Sequence, residues 1–291
     1  MFEGVLPAII TPFRRNSAMD VDLEGLRSNI EFLIGQGVHG IVPCGSTGES
    51  ATLSFEEHDR VISETIDVVN GRVPVLAGTG SNNTAEAVAL TKNAKELGAD
   101  GVLVISPYYN KPNRSGLVKH YTMLADLDIP VVMYNVPGRT GQNLLPDMVI
   151  ELASHPNIVG IKEASGDIGQ VSRIIEGTLD EDFLVISGDD AITLPMLAIG
   201  GAGVISVVAN VEPGRMVSMF EYFCDGDLEM ALDIHYELSP LFRAMFIDTN
   251  PIPVKKAVEL RGMAAGPVRL PLDELDAKKT HALKEVLDLY D

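Results

Sequence analysis

The sequence predicts an α/β fold: one (β/α)8 TIM barrel carrying a C-terminal helical appendage. Three observations lead there. Eight short runs rich in Val and Ile alternate with longer amphipathic segments. No long linker interrupts the series, and the first strand–helix turn lacks the glycine fingerprint that a doubly wound open sheet would place there.

The candidate strands are Val5–Pro12, Gly40–Cys44, Val73–Ala77, Gly101–Ile105, Pro130–Tyr134, Ile158–Glu163, Phe183–Ser187 and Gly203–Val208. Each is closed by Gly, Pro, Ser or Asn. Between them lie helical signals. Leu23–Gln36 puts Leu26, Ile30, Leu33 and Ile34 on one stripe and stops at Gly37. Ala85–Leu97 carries a stripe of Val88, Ala89, the Lys92 stem and Leu97 and stops at Gly98; Glu212–Phe223 follows the last strand. Residues 1–227 therefore form the barrel. Residues 228–291 form the appendage, with helices expected over Leu228–Phe246, Ile252–Arg261 and Leu272–Tyr290.

Composition narrows the function classes. The chain has 291 residues, 46% hydrophobic, with no Trp and only 5% aromatics, so its core must be aliphatic, as suits a parallel sheet covered on both faces. A formal net charge of −19 with no Lys/Arg run argues against nucleic acid and anionic membrane surfaces as partners. Cys44 and Cys224 are too few for a disulfide framework and read as reduced core thiols. The apolar start lacks a basic region and a cleavage site, and no apolar run approaches membrane-spanning length. A soluble, cytoplasmic protein is expected.

In such a barrel the chemistry gathers at the C-terminal ends of the strands, and the unusual polar residues fall there. Lys162 stands out, because it interrupts the apolar run Ile158-Val159-Gly160-Ile161. Strand parity sends it to the face opposite Ile161 and Glu163, and the small Gly160 on the same parity suggests room inside the barrel. A buried lysine falls below the ~10.4 of a free amine and becomes a nucleophile toward carbonyls. The plainer alternative is a lysine that snorkels or pairs with a carboxylate. Tyr134, on the neighbouring strand at the same depth, favours the chemical reading. Tyr134, Ser46 and Tyr109 carry hydroxyls that both donate and accept, as a proton relay requires. The Gly45–Gly48 turn, with the Thr47 hydroxyl, suits a carboxylate, although a plain tight turn would have the same glycines. Arg139 follows a Pro-Gly turn over the mouth, where its fork could hold a second carboxylate. No histidine pair has metal-ligand spacing, the Gly45–Ser50 loop lacks the Gly-Lys-Ser/Thr of a phosphate loop, and Asp189-Asp190 lacks a third carboxylate nearby. No metal or nucleotide cofactor is expected.

Taken together, AIITPF, GSTGES, GTGSNNTAEA, SPYYNKP, YNVPGRTG, GIKEASGD, SGDD, GVISVVAN and NPIPVK, running from residue 8 to 255, resemble the dihydrodipicolinate synthase/N-acetylneuraminate lyase group of class I aldolases. Arg139 favours the synthase branch over the sugar-acid lyases. The resemblance implies a lyase of lysine and diaminopimelate biosynthesis that condenses pyruvate with L-aspartate 4-semialdehyde, with Lys162 as Schiff-base lysine and no added cofactor. It makes Tyr134 the proton donor and acceptor, with Ser46 and Tyr109 completing the relay. It assigns Thr47 and Ile205 to pyruvate, Arg139 to the semialdehyde and Gly188 to substrate binding. Ser46 stands where many relatives of this kind carry threonine. The resemblance also implies that Tyr109 acts from a neighbouring subunit, in a homotetramer built as a dimer of dimers. L-lysine would bind an interface crevice at Ser50, Ala51, His58, Asn82, Glu86 and Tyr108. The same barrel could instead serve a lyase of 2-oxo sugar acids, or be a catalytically silent binding protein.

Overall fold

The computed structural model describes residues 1–291. Seven strands form one parallel sheet: β1 (Gly4–Pro7), β2 (Leu76–Gly78), β3 (Gly101–Ile105), β4 (Val131–Asn135), β5 (Ile158–Glu163), β6 (Leu184–Ser187) and β7 (Gly203–Ser206). Their order is β1-β7-β6-β5-β4-β3-β2, so the chain winds steadily round the sheet and brings its last strand back beside its first. The helices are α1 (Leu23–Gly35), α2 (Phe55–Val69), α3 (Thr84–Leu97), α4 (Arg114–Ala125), the single turn α5 (Pro137–Thr140), α6 (Pro146–Ala153), α7 (Ile168–Gly177), α8 (Thr193–Ala198), α9 (Pro213–Cys224), α10 (Leu228–Ala244), α11 (Ile252–Leu260) and α12 (Ala277–Leu287). No helix is long and apolar enough to cross a membrane.

The second expected strand, Gly40–Cys44, is not continuous. It makes isolated parallel bridges, Val42 to Ala8 on one side and Ile41 to Val75 on the other, and so lies between the two sheet edges, β1 and β2. Its chemistry explains the interruption: Pro43 has no N–H to give a ladder, and Cys44 sits at φ +56°. The first strand is likewise shorter than Val5–Pro12, and β2 begins only after Pro74.

Period-two alternation sorts the side chains into two cores. Leu6, Val42, Leu76, Leu103, Val132, Tyr134, Ile186 and Ile205 point inward and pack as one cluster. Val5, Val102, Val104, Met133, Ile161, Val185 and Val204 point outward and join the larger core shared with the helices. Each fully buried Leu, Ile or Val contributes about 1.5–3 kcal/mol over exposure. Helix starts follow the caps. Asp22 accepts from the amide of Gly25, and Ser54 forms a capping box with Glu57.

Three expectations are corrected here. Cys224 is exposed at the end of α9, not a core thiol. The last helix begins at Ala277 rather than Leu272, because Asp276 is its N-cap. The buried face of α3 is Ala87, Leu90, Thr91 and Ala94, with Ala89 and Lys92 exposed.

Candidate active site

β4, β5 and β6 are in register through Tyr134, Lys162 and Ile186, so the lysine and tyrosine stand side by side on the inner face. The Lys162 Nζ lies 4.4 Å from the centroid of the Tyr134 ring. Lys162 is only 5% exposed, and its amine makes no hydrogen bond or ion pair within the chain. Burial pushes its ammonium down to about 7; the charge of Asp190 opposes this, and that of Arg139 adds to it. Burial likewise pushes the Tyr134 phenol up to about 12, with Arg139 pulling down and Glu163 pushing up. At neutral pH the site therefore pairs a substantial fraction of free amine with a protonated phenol.

One glycine sets the lysine's surroundings. A Cβ at Gly188 would come within 3.0 Å of Lys162 Cε and 2.8 Å of Ala164 Cβ, so β6 can close over the lysine stem only with glycine there. Gly160 does not act as expected. A Cβ on it would meet the Leu184 carbonyl oxygen at 2.5 Å, so its smallness admits the neighbouring strand and leaves no pocket for the lysine.

Lys162 opens into a cavity of about 150 Å³ shared with Gly45, Ser46, Thr47, Tyr134, Arg139, Gly188 and Asp189. The amides of Ser46 and Thr47 donate to no acceptor within the chain. Both residues line the cavity, and two unused backbone donors in one turn are what an anion-binding turn needs. Ile205 is buried in the inner cluster with Tyr134 and does not line this cavity; Val207 does. Tyr109 is not brought in either. It is 89% exposed, at φ +73°, and its ring lines no part of the cavity.

Residues beyond the expected set complete the site. Phe246 and Asn250, from the segment read as a mere appendage, line the same cavity. Asn250 Nδ2 donates to the Thr47 hydroxyl at 3.0 Å, and its carbonyl accepts from Arg139 Nη2 at 2.8 Å. One residue thereby ties the turn and the arginine together. Asp190, weighed in the sequence only as a metal ligand, is 2% exposed. It accepts from Ser206 Oγ at 2.5 Å and from the amides of Val207 and Val208 at 3.0 Å each, and so joins the ends of β6 and β7. Burial raises its pKa while these hydrogen bonds pull it back. No group of three or more His, Cys, Asp or Glu side chains gathers as a metal site.

A larger cavity of about 620 Å³ adjoins the first and shares Ser46, Arg139 and Asn250 with it. Of the expected crevice residues, Ser50, Ala51, His58, Glu86 and Tyr108 line it, together with Phe55. Asn82 does not, but its amide donates to the Tyr108 carbonyl at 3.1 Å. Glu86 accepts from Ser81 Oγ. Burial lowers the pKa of His58, while the Gly78 carbonyl and the Asp59 carboxylate oppose it; its Nε2 is 2.8 Å from the Gly78 carbonyl, and its Nδ1 makes no hydrogen bond but lies 3.8 Å from Asp59 Oδ1. With Nε2 donating to that carbonyl, Nδ1 of the neutral ring is a buried acceptor.

Comparison with known proteins finds relatives over the whole chain. The pattern of the dihydrodipicolinate synthetase family matches residues 1–289. The 4-hydroxy-tetrahydrodipicolinate synthase of Methanoculleus marisnigri is 76% identical over 287 residues, 99% of either chain. The crystal structure of the Aquifex aeolicus dihydrodipicolinate synthase superposes with a TM-score of 0.96 at 46% identity, covering 99% of this chain and 98% of that one. That of Cyanidioschyzon merolae, solved with lysine bound, has the same TM-score and coverage at 41% identity. A buried strand lysine beside a tyrosine, on a scaffold matched from end to end, makes this chain a member of the dihydrodipicolinate synthetase family.

Proposed function

We infer that the chain condenses pyruvate with L-aspartate 4-semialdehyde, the activity for which its relatives are named, through a Schiff base on Lys162. The observation that carries this is the unpartnered, buried Lys162 amine, held near neutrality at the floor of a 150 Å³ cavity. A cavity of about 150 Å³ can take a ligand of six heavy atoms, as benzene shows elsewhere, and pyruvate also has six.

The free amine adds to C2 of pyruvate, and the carbinolamine loses water to give a protonated imine. The imine withdraws electrons from C3, so a proton leaves and an enamine forms without any added cofactor. The enamine carbon attacks the aldehyde; the amino group of the adduct then attacks C2, closes the ring and releases Lys162. Tyr134, protonated at neutral pH, gives and takes the protons, with Ser46 and the Tyr109 of a neighbouring subunit completing the relay. The Thr47 hydroxyl and the free amides beside it hold the pyruvate carboxylate; Gly188 walls the subsite and Ile205 supports its floor. Arg139 holds the carboxylate of the semialdehyde.

We read the Gly40–Cys44 segment as the eighth strand of a (β/α)8 barrel over residues 1–227, with residues 228–291 as its helical appendage. The enzyme is cytoplasmic and works as a homotetramer, a dimer of dimers. The larger cavity is an L-lysine site in which Glu86 meets the ε-ammonium, His58 Nδ1 accepts a further N–H, and Asn82 and Tyr108 meet the α-groups. Calorimetry should show L-lysine binding that weakens in Glu86→Ala; no heat at millimolar L-lysine would leave the crevice as interface only.

Borohydride with pyruvate should fix a three-carbon adduct on Lys162, absent in Lys162→Ala. Arg139→Ala should keep this trapping but lose about 1.5–3 kcal/mol of transition-state binding with the semialdehyde, roughly ten- to a hundredfold in kcat/KM. An adduct on another lysine, or none, refutes the reading and leaves a silent barrel. Unchanged turnover in Arg139→Ala favours a 2-oxo sugar acid instead.

A further inference from the structure

Beneath the Ser46–Thr47 turn lies a pair of buried charges that the chemistry above does not use. Lys255 is 2% exposed and Glu49 4%, and Lys255 Nζ donates to Glu49 Oε1 at 2.5 Å. The other carboxylate oxygen accepts the backbone amide of Arg269 at 2.9 Å. The ammonium also lies 3.9 Å from the centre of the Phe13 ring, with the Arg269 guanidinium 4.1 Å from the same ring. Taking two charges out of water is costly even when they are paired, so the position calls for a reason beyond stability.

The reason is legible in the backbone. Glu49 adopts the left-handed conformation, φ +53° and ψ 36°, which a residue with a Cβ rarely holds without support. Its amide donates to the Ser46 carbonyl at 3.2 Å, and its carbonyl accepts from the Thr52 amide at 2.9 Å. Beside it, Thr11 Oγ1 donates to the Gly48 carbonyl at 2.7 Å, and the Ser50 amide closes back onto the Gly45 carbonyl at 3.3 Å. The turn carrying the unused Ser46 and Thr47 amides is therefore anchored on its C-terminal side at Gly48 and Glu49, and Glu49 is the anchor held by charge. Lys255 sits on α11, one turn beyond the Asn250 that bonds Thr47.

We propose that Lys255 and Glu49 are positioning residues for pyruvate: their buried pair holds the Gly45–Glu49 turn in the shape that aims the Ser46 and Thr47 amides at the carboxylate. Neither touches substrate. The proposal rests on the pyruvate reading above, and the test separates the two.

The measurement is the pyruvate concentration that half-saturates borohydride trapping on Lys162, with melting temperature recorded in parallel. If wild type is not labelled at Lys162, the functional reading fails and this proposal falls with it. With wild type labelled, Lys255→Met and Glu49→Gln should each raise the half-saturating pyruvate tenfold or more. The trapping rate at saturation should fall less than threefold, and KM for the semialdehyde should move less than the half-saturating pyruvate, because Arg139 is held by the Asn250 carbonyl and not by the pair itself. The double variant Glu49→Gln/Lys255→Met removes both charges together, so it also reports if a single variant fails to fold. It should regain melting temperature without regaining pyruvate affinity. Half-saturation within twofold of wild type in the folded variants, or restored together with melting temperature in the double variant, would show that the pair serves folding alone.

Discussion

At the scale of single residues, the site works by denying its lysine what a lysine needs. Burial lowers the Lys162 ammonium from an ordinary 10.5 to about 7, and no carboxylate pairs with it. The same fact is a stability statement. The unfolded chain binds this proton below pH 10.5 and the folded one only below about 7. The destabilisation is therefore full below pH 7, shrinks as pH rises from 7 and vanishes near 10.5. At pH 7 it amounts to about 4 kcal/mol. Lys162→Met should thus abolish activity yet raise Tm by several degrees at pH 7, and lose that advantage near pH 10. A variant no more stable than wild type at pH 7 would mean that the amine is better solvated than its burial indicates. Trapping should likewise rise with pH through about 7 and then level off. At this scale the sequence was informative where a residue broke a pattern: Lys162 interrupts an apolar strand, and parity set it on the face opposite Ile161 and Glu163, although the room at Gly160 that was taken to mark that face as the interior is filled by the neighbouring strand. It was silent where a role depends on partners distant along the chain. Asn250 meets Thr47 across 203 positions, and no local pattern announces that contact.

Elements were legible to the extent that local chemistry decides them. β3 and β5 lie where β-branched runs predict them, and α1 turns Leu26, Ile30 and Leu33 inward as its stripe requires. The errors share a cause, which is that packing overrides hydropathy. On α3 the sheet side takes Ala87, Thr91 and Ala94, small residues that let the helix approach closely, while Ala89 faces solvent. Thr91 is buried because its hydroxyl finds Thr79 Oγ1 at 2.9 Å, and a count of apolar residues misses such a partner. Gly40–Cys44 was read as an ordinary strand because its Ile and Val look like one; Pro43 limits it to bridges. Gly160 was read as space when it is contact. The β6 and β7 ends show the converse. Of two adjacent acidic residues weighed as a metal hint and set aside, Asp190 becomes, once folded, a buried carboxylate with three donors that holds two strand ends together.

At the scale of the whole molecule, one proposed part of the relay lies outside its own barrel. Tyr109 is 89% exposed and its backbone is held at φ +73°, a conformation costly for a tyrosine, so the ring is presented outward by design of the loop. If it serves a site, that site belongs to a second copy, and association must proceed although each chain carries a net charge of −19. Closed symmetry then makes the exchange reciprocal, each copy lending its tyrosine to the other. This yields a complementation test. Tyr109→Phe retains Lys162 but lends a ring without a hydroxyl; Lys162→Ala retains the tyrosine but has no amine. In a hybrid dimer one site receives both groups and the other neither. Equal mixing with random reassortment should therefore restore about a quarter of wild-type activity per chain, from parents that are each nearly inactive. A mixture no more active than its parents, with hybrids demonstrated by mass, would place the Tyr109 hydroxyl outside the reaction. Full activity in a species that sediments as a monomer would do the same, and the relay would then have to be completed within one chain by Tyr134 and Ser46.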